Sequence, residues 1–268
     1  DSAEAERAVK MAQDAGYDNF NIDLLYALPG QTLAAAEHDL ERAFALQPAH
    51  LSHYQLTLEP NTVFFARPPQ GIPDEDSAWD MQEHCQALLA QAGFDQYEVS
   101  AYARPGRQSA HNLNYWRFGD YLGIGAGAHG KISSGAEQNV RRRWKLKHPQ
   151  AYMDAAGSPA SFGGDDIIAA DRLPFEYMLN LLRLHEGFSL RDFQSRTGLP
   201  ATAIDAPLQQ ALQRGWLERV GGGHDHGDGC GGHGCAGAGG DDHGELLLRP
   251  TELGRRFTND VVELFLGE

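Results

Sequence analysis

Residues 20–58, FNIDLLYALPGQTLAAAEHDLERAFALQPAHLSHYQLTL, form a predicted strand–helix–strand unit. The first strand alternates strictly, so that Asn21 and Asp23 lie on one face and three apolar side chains lie on the other. Thr32 can cap the helix that follows, which carries apolar residues at helical spacing. A second alternating strand spans residues 51–58. Such a unit implies that the two strands pair in parallel.

Both predicted strands carry a polar face. In the second strand, His53, Gln55 and Thr57 lie opposite Tyr54 and two leucines. Filled parallel sheets are built from continuous apolar runs, whereas a polar face fits a barrel whose lumen holds a polar ligand at the carboxyl ends of its strands. We therefore expect Asp23 to line such a site, because its carboxylate can accept hydrogen bonds from hydroxyl or ammonium groups. Gln55 and Thr57 are weaker candidates for the same lumen.

A second candidate region begins with HNLNYW at residues 111–116. Four closely spaced glycines follow it, namely Gly123, Gly125, Gly127 and Gly130. An imidazole, two amides and two aromatic rings beside so many glycines predict a backbone that a flat, partly apolar ligand approaches closely. The alternative is a turn with an aromatic plug in an ordinary barrel wall.

Four stretches carry a family resemblance: residues 20–32 (FNIDLLYALPGQT), 51–62 (LSHYQLTLEPNT), 97–131 and 250–257 (PTELGRRF). They resemble the oxygen-independent coproporphyrinogen III oxidase-like branch of the radical-SAM proteins, and within it the HemW-type heme chaperones. The resemblance covers nearly the whole chain except a segment near residues 221–244. In this superfamily, the HNxxYW string is characteristic of the chaperone branch rather than of the true oxidases.

The resemblance implies an α/β fold, an incomplete radical-SAM-type (β/α) barrel in which Asp23 binds S-adenosylmethionine (SAM). It also implies a heme region at His111, Tyr115 and Trp116. Imidazole is the commonest protein ligand of heme iron, and His129 is the reserve ligand.

The family holds a [4Fe-4S] cluster with a CxxxCxxC motif near its N-terminus. This chain has only Cys85, Cys230 and Cys235, and no pair of them has that spacing. We therefore expect the C-terminal portion of a longer protein, in which the missing part supplies the cluster ligands. We do not expect this portion alone to be an enzyme.

The composition limits the classes of protein to which this chain can belong. The chain has 268 residues, of which 41% are hydrophobic and 22% charged, and a net charge of −15. This acidic balance argues against a nucleic-acid partner. No apolar run approaches the ~20 residues that a membrane span needs, no signal peptide opens the chain, and three cysteines make no disulfide framework. These features favour the cytoplasm.

One basic run, RRRWKLK at residues 141–147, stands out against the acidic background. It is either an exposed strand or hairpin with a solvated face, or a surface that receives anionic groups such as porphyrin propionates.

The character of the chain changes after residue 157. Residues 159–164 are small and polar, which predicts a linker between a barrel-like domain at 1–157 and a second domain at 166–268. Three helices, a β-hairpin and a closing helix make the second domain winged-helix-like. The excess of acidic over basic residues favours a role in packing against the rest of the protein or in docking a partner protein, rather than in DNA binding.

The predicted hairpin carries a glycine-dominated insertion at residues 221–244. It contains the candidate metal ligands Cys230, Cys235, His224, His226 and His233. These residue types can bind zinc, nickel or copper, but their spacing matches no zinc-finger pattern. A passive low-complexity insertion is the alternative.

For the intact protein, the resemblance therefore implies a chaperone that binds heme and transfers it to acceptor proteins. Two other hypotheses remain open: oxidative decarboxylation of coproporphyrinogen III, and a metal-binding regulator that uses the insertion.

Overall fold

The computed structural model describes residues 2–135, 139–221 and 247–267. The chain folds as two compact units, Asp1–Ala110 and His111–Glu268. The five candidate metal ligands of the insertion lie outside the described residues. Within the described part of the chain, no helix has the length and apolar character that a membrane span needs.

The first unit contains four helices and a four-stranded sheet. Its elements are α1 (Ser2–Asp14), β1 (Asn21–Tyr26), α2 (Leu33–Ala45), β2 (His50–Gln55), α3 (Val63–Ala66), α4 (Glu75–Gln91), β3 (Asp95–Gln96) and β4 (Ala101–Ala103). The strand order is β1-β2-β4-β3. β1 and β2 pair in parallel as the sequence predicts, whereas the other two pairs are antiparallel.

Side-chain caps and apolar stripes explain the two long helices of this sheet layer. The Thr32 hydroxyl accepts a hydrogen bond from the backbone of α2, and the Asp74 carboxylate does the same for α4. The helices bury a common core against β2, built from Ala36, Leu40, Ala43, Leu51, Cys85, Leu89, Phe94 and Tyr102. The buried stripe of α4 runs through Ala78, Met81, Cys85 and Leu89, whereas Trp79 is 38% exposed.

The register of β1 and β2 corrects the predicted polar face. Asp23 pairs with Ser52, and Leu24 pairs with His53. His53 therefore shares the apolar face, where it is buried and stacks on Tyr26 with ring centroids 4.6 Å apart. The expectation that the His53 face aligns with Asp23 is wrong. Alternation identifies residues that share a face within one strand, but the pairing register decides which faces coincide.

The second unit contains two three-stranded antiparallel sheets, β5-β6-β7 and β8-β10-β9. Its elements are α5 (Ala110–Trp116), β5 (His129–Ser134), β6 (Asn139–Lys145), α6 (Pro149–Asp154), β7 (Phe162–Ile167), α7 (Leu173–Leu181), β8 (Phe188–Ser189), α8 (Leu190–Thr197), α9 (Asp205–Gln213), β9 (Leu217–Val220), β10 (Leu247–Pro250), α10 (Glu252–Arg256) and α11 (Thr258–Glu263). Short 3-10 turns span Pro159–Ser161 and Ala201–Ile204. The closing helix is therefore two helices that meet at Phe257.

The predicted linker at residues 159–164 is wrong. Strand β7 begins at Phe162 and pairs with β6. Gly164 lies against the indole of Trp144, where a Cβ atom would overlap the ring. Glycine is required there by packing, so its presence does not indicate a flexible connection.

Contacts also join the β5-β6-β7 sheet to the helices that follow it. Arg142 of β6 makes a bidentate ion pair with Glu176 of α7. Its two terminal guanidinium nitrogens donate to the two carboxylate oxygens, at 2.7 and 3.3 Å. Phe118 packs edge-on against Tyr177 of α7, with centroids 5.5 Å apart. The compact units thus divide the chain at residue 110, and the division into domains 1–157 and 166–268 stays a prediction.

Candidate functional site

Helix α5 carries the HNLNYW string and ends in a hydrogen-bonded cap. The backbone N–H of Phe118 donates to Tyr115 O (3.0 Å), and that of Gly119 donates to Asn114 O (2.7 Å). Phe118 has φ 54°, the left-handed conformation that such a cap requires. A Cβ atom at position 119 would overlap Asn114, whose side chain in turn donates to Asp120 O at 2.9 Å. Asn114 therefore closes the helix.

A buried cation holds this helix end. Lys131 of β5 is 3% exposed, and its Nζ donates to Phe118 O (3.0 Å) and to Asp120 Oδ1 (3.2 Å). The same ammonium group lies 3.9 Å from the centroid of the Phe118 ring. Burial lowers the pKa of Lys131, and Asp120 opposes that shift. Burial alone would raise the pKa of Asp120, but hydrogen bonds from Ser133 and Lys131 outweigh it and lower that pKa.

His111 and Tyr115 lie one helical turn apart and come together. Their rings meet edge-on with centroids 4.9 Å apart, and Tyr115 contacts Tyr121 at 4.4 Å. The imidazole of His111 is exposed. Among the described residues it has no hydrogen-bond partner for either ring nitrogen. This chemistry fits an axial ligand of heme iron, which needs an accessible, unprotonated imidazole nitrogen.

Trp116 occupies a different side of α5. Its ring lies beneath the guanidinium of Arg183, 4.4 Å from the centroid, and its buried Nε1 has no hydrogen-bond partner among the described residues. The structure therefore brings His111 and Tyr115 together but separates Trp116 from them.

The four glycines after α5 allow close backbone contacts and positive φ values within this segment of the chain. A Cβ atom on Gly123 would overlap the carbonyl of His129, and one on Gly130 would lie 3.1 Å from Gly123 N. Gly125 and Gly127 have φ values of 110° and 71°. Close backbone contacts thus account for Gly123 and Gly130, and positive φ values account for Gly125 and Gly127.

His129 is exposed at the start of β5 and stacks on Trp144, with centroids 6.1 Å apart and planes 22° apart. The indole of Trp144 packs against Gly164 on the neighbouring strand. His129 is thus an accessible imidazole on a rigid sheet, which keeps it available as the reserve ligand.

In the first unit, Asp23 belongs to a hydrogen-bonded network. Asn21 Nδ2 donates to Asp23 Oδ1 (2.7 Å), while Asn21 Oδ1 lies 2.6 Å from His50 Nδ1 and accepts from Ser52 Oγ (3.1 Å). His50 Nε2 lies 2.7 Å from Tyr97 Oη. Since Asn21 Oδ1 can only accept, the proton is on His50 Nδ1 and Tyr97 donates to Nε2.

The buried position of His50 favours the neutral form of its imidazole. Burial lowers the pKa of His50, although Glu98 and Asp23 oppose the shift. The Tyr97 hydroxyl also accepts from Ser109 N at 3.3 Å. No sequence pattern indicates this arrangement, because a His and a Tyr 47 residues apart carry no common motif.

The two weaker SAM candidates lie apart from Asp23. Gln55 pairs with Tyr26 in the strand register, on the other face of β2 from Ser52. Thr57 follows the end of β2 and donates to Glu59 at 2.9 Å. Asp23 itself is exposed and accepts from Asn21, so its carboxylate is accessible to a hydroxyl-bearing ligand.

The described residues do not fit a [4Fe-4S] cluster. Cys85 is fully buried in the core of the first unit, where burial, with smaller effects of Glu37 and Asp39, raises the pKa of its thiol to about 11. A cluster requires several thiolates. In the ranges that the structure describes, no three His, Cys, Asp or Glu side chains converge as a metal site.

Comparison with known proteins gives relatives along almost the whole chain. Residues 168–223 match the HemN C-terminal domain. The "Heme chaperone HemW" of Escherichia coli is 42% identical over 99% of this chain and 62% of its own length. The protein of that name from Haemophilus influenzae is 40% identical over 100% of this chain and 62% of its own. That of Bacillus subtilis is 39% identical over 96% and 61%.

One solved structure shows the same fold. It is described as "Coproporphyrinogen III oxidase (HemN) from Escherichia coli is a Radical SAM enzyme", with a TM-score of 0.70 and 17% identity over 99% of this chain and 58% of that one. The chain spans about three fifths of the length of the curated relatives that it matches. These matches confirm the resemblance that the motifs carry: the chain is similar to the HemW heme chaperones, and its residues 168–223 match the HemN C-terminal domain.

Proposed function

We propose that the protein to which this chain belongs binds heme in the cytoplasm and transfers it to acceptor proteins. The observation that carries this proposal is the exposed imidazole of His111, which packs edge-on against Tyr115 and keeps both ring nitrogens accessible. The relatives named heme chaperones support it, because the match covers HNLNYW. The three cysteines make no disulfide framework, which favours a reducing compartment such as the cytoplasm.

In this proposal, His111 ligates the heme iron and Tyr115 contributes aromatic surface beside the ring. His129 is the second candidate ligand, since its imidazole is also exposed. Trp116 acts indirectly, by packing α5 beneath Arg183. An exposed iron-ligating histidine suits heme transfer. A heme fully enclosed by protein would be released to an acceptor less readily.

The same proposal assigns Asp23 to SAM, with Gln55 and Thr57 as weaker candidates. The carboxylate would accept hydrogen bonds from SAM hydroxyl or ammonium groups. Asn21 orients this carboxylate and is itself held by His50 and Ser52. The [4Fe-4S] cluster would be held by residues outside this chain.

We also propose that the fold is part of a radical-SAM-type barrel followed by a winged-helix-like domain. The parallel β1–α2–β2 unit supports the first assignment. The order α7, β8, α8, α9, β9, β10 with the strand order β8-β10-β9 supports the second. The chain's net charge of −15 favours a docking role for that domain over DNA binding.

Oxidative decarboxylation of coproporphyrinogen III is the second candidate function. The observation that favours it is the fold shared with the oxidase structure. A shared fold does not fix the reaction, and HNLNYW is the feature that separates the two hypotheses.

Heme transfer tests the proposal. The chain is loaded with heme, freed of excess ligand and mixed with an apo heme protein, and the Soret spectrum of the acceptor is followed. We expect the acceptor spectrum to appear at the expense of the donor's. Failure to bind heme, or retention of all heme by the chain, would contradict a chaperone function.

A further inference from the structure

The β5-β6-β7 sheet has one face that combines cations with apolar side chains. Along β6, Arg141, Arg143 and Lys145 alternate with Val140, Arg142 and Trp144, so the first three share one face. The register places Ile132 of β5 beside Arg141, and Phe162 of β7 beside Lys145. We call this surface the cationic face.

Two cavities open on the cationic face. One, of about 110 Å³, is lined by Leu122, Ile132, Phe162 and the cationic side chains of Arg141, Arg143 and Lys145. The other, of about 350 Å³, lies at Ile132, Ser134, Asn139, Arg141 and Arg143. The two cavities share both arginines and Ile132. A ligand bound there would meet apolar surface and positive charge together.

One cation of this face, Lys145, has no carboxylate partner in the described part of the chain. Asp165 of β7 accepts two hydrogen bonds from Arg141, at 3.1 and 3.2 Å, and one from Arg143 at 2.9 Å. Lys145 has no carboxylate partner among the described residues, and its Nζ lies 3.6 Å from the centroid of the Phe162 ring. The neighbouring Asp166 pairs with Arg142 in the register, and so lies on the other face. Asp165 thus binds both arginines, while Lys145 adds a positive charge that no described carboxylate pairs with.

Exposed apolar residues line the smaller cavity or lie next to its lining residues in the chain or the sheet. Leu122 is 77% exposed and Ile124 87% exposed, both on the glycine run. Ile132 and Ile167 are also exposed, and they flank Arg141 on the two neighbouring strands. Adjacent apolar and cationic groups are complementary to a flat apolar molecule that carries carboxylates.

We propose that the cationic face binds the two carboxylate side chains of the tetrapyrrole. This inference rests on the proposed heme-binding function and adds the groups that recognise the anionic edge of the ligand. Arg141, Arg143 and Lys145 line the smaller cavity together with apolar side chains, so a carboxylate that enters it meets cationic groups. The smaller cavity is too small for a whole tetrapyrrole, so it receives a substituent of the ring while the exposed apolar residues contact the macrocycle. Arginine forks suit carboxylates geometrically.

The test uses protoporphyrin IX, which carries both carboxylates but no iron, and its dimethyl ester. Binding to the chain is followed by porphyrin fluorescence for the parent and for Arg143→Gln, Lys145→Gln and Lys147→Gln. Lys147 is exposed and lies outside β6, which makes it a charge-matched control. Two different variants keep the test valid if one of them folds poorly.

We expect the parent to bind the diacid at least about tenfold more tightly than the ester. Arg143→Gln and Lys145→Gln should each weaken diacid binding several-fold and leave ester binding unchanged, whereas Lys147→Gln should change neither. Equal binding of diacid and ester by the parent would overturn the proposal, as would equal losses in all three variants. A surface for anionic lipid would instead bind phosphatidylserine vesicles through Arg143 and Lys145 without distinguishing the two porphyrins.

The two proposals can fail separately. If heme binds and transfers normally in Arg143→Gln and Lys145→Gln, and the diacid shows no preference, the chaperone function stands and the carboxylate site is overturned. If the diacid preference depends on Arg143 and Lys145 but heme does not transfer, the carboxylate site stands and the chaperone function is overturned.

Discussion

The ammonium group of Lys131 donates a 3.0 Å hydrogen bond to the backbone oxygen of Phe118, at the end of the helix that carries HNLNYW. A carbonyl at a helix end has no partner within the helix. A buried cation is a strong donor for such a group, and here it also pairs with Asp120. Lys131 is therefore a positioning residue for α5.

Replacing this cation should destabilise the second unit. Lys131→Met keeps the length of the side chain but leaves Phe118 O without its donor, so we expect the free energy of unfolding in urea to fall by about 2 kcal/mol. Lys147→Met, at an exposed position, should change it by less than about 0.5 kcal/mol. Equal effects of the two substitutions would show that the Lys131 contact contributes nothing.

His53 should make stability depend on pH. Burial lowers the pKa of His53 from 6.5 to about 4. The unfolded chain therefore binds a proton at a higher pH than the folded chain does, so stability falls as pH decreases from 6.5 towards 4. The contribution is on the order of 3 kcal/mol once pH is below 4.

A single substitution isolates this effect. His53→Phe can keep the stacking on Tyr26 and has no nitrogen to protonate. Urea unfolding at pH 7 and pH 5 should show a smaller loss for His53→Phe than for the parent. The same loss in both proteins would assign the acid sensitivity to other groups.

The Tyr97 hydroxyl should contribute measurably to the stability of the first unit. It donates to His50 Nε2 and accepts from Ser109 N, so Tyr97→Phe leaves a buried nitrogen without its donor. We expect a loss of about 1–2 kcal/mol in the free energy of unfolding. Tyr54→Phe is the matched control, because Tyr54 is an exposed tyrosine of β2 in the same unit. Similar losses in both variants would refute the role of the network.

Gly164 should tolerate no side chain. In Gly164→Ala the added methyl group would overlap the Trp144 ring, so strand β7 or the indole must shift. We expect a loss of about 1–3 kcal/mol together with a change in tryptophan fluorescence. Gly135→Ala, where a Cβ atom would meet nothing within 4 Å, is the control. If both variants unfold like the parent, Trp144 is not packed against Gly164 as described.

Local patterns predicted the elements that depend on nearby residues. The parallel β1–α2–β2 unit and the Thr32 cap follow from alternation, helical spacing and capping chemistry. Errors arose where a distant partner decides the outcome. Small residues at 159–164 indicated a linker because nothing nearby in the sequence shows that Trp144 needs Gly164 as a neighbour.

In the candidate site too, contacts between nearby residues could be predicted and contacts with distant partners could not. His111 and Tyr115 could be predicted to meet, since they are four residues apart on a helix. Lys131 could not be identified as the group that holds Phe118, because a single lysine in a short polar strand is usually solvated. The partners of Asp23 depend on the register between two strands, which alternation alone leaves open.

Heme titration of His111→Ala is the most direct test of the central claim. The Soret band of the parent, of His111→Ala and of His148→Asn is followed as heme is added to the chain. His148→Asn is the control, because His148 caps α6 by accepting from Ala151 N and asparagine can cap in the same way. We predict that His111→Ala weakens heme binding at least about tenfold and shifts the Soret maximum, whereas His148→Asn binds like the parent. Equal affinities and identical spectra for all three proteins would contradict the assignment of His111 as the heme ligand.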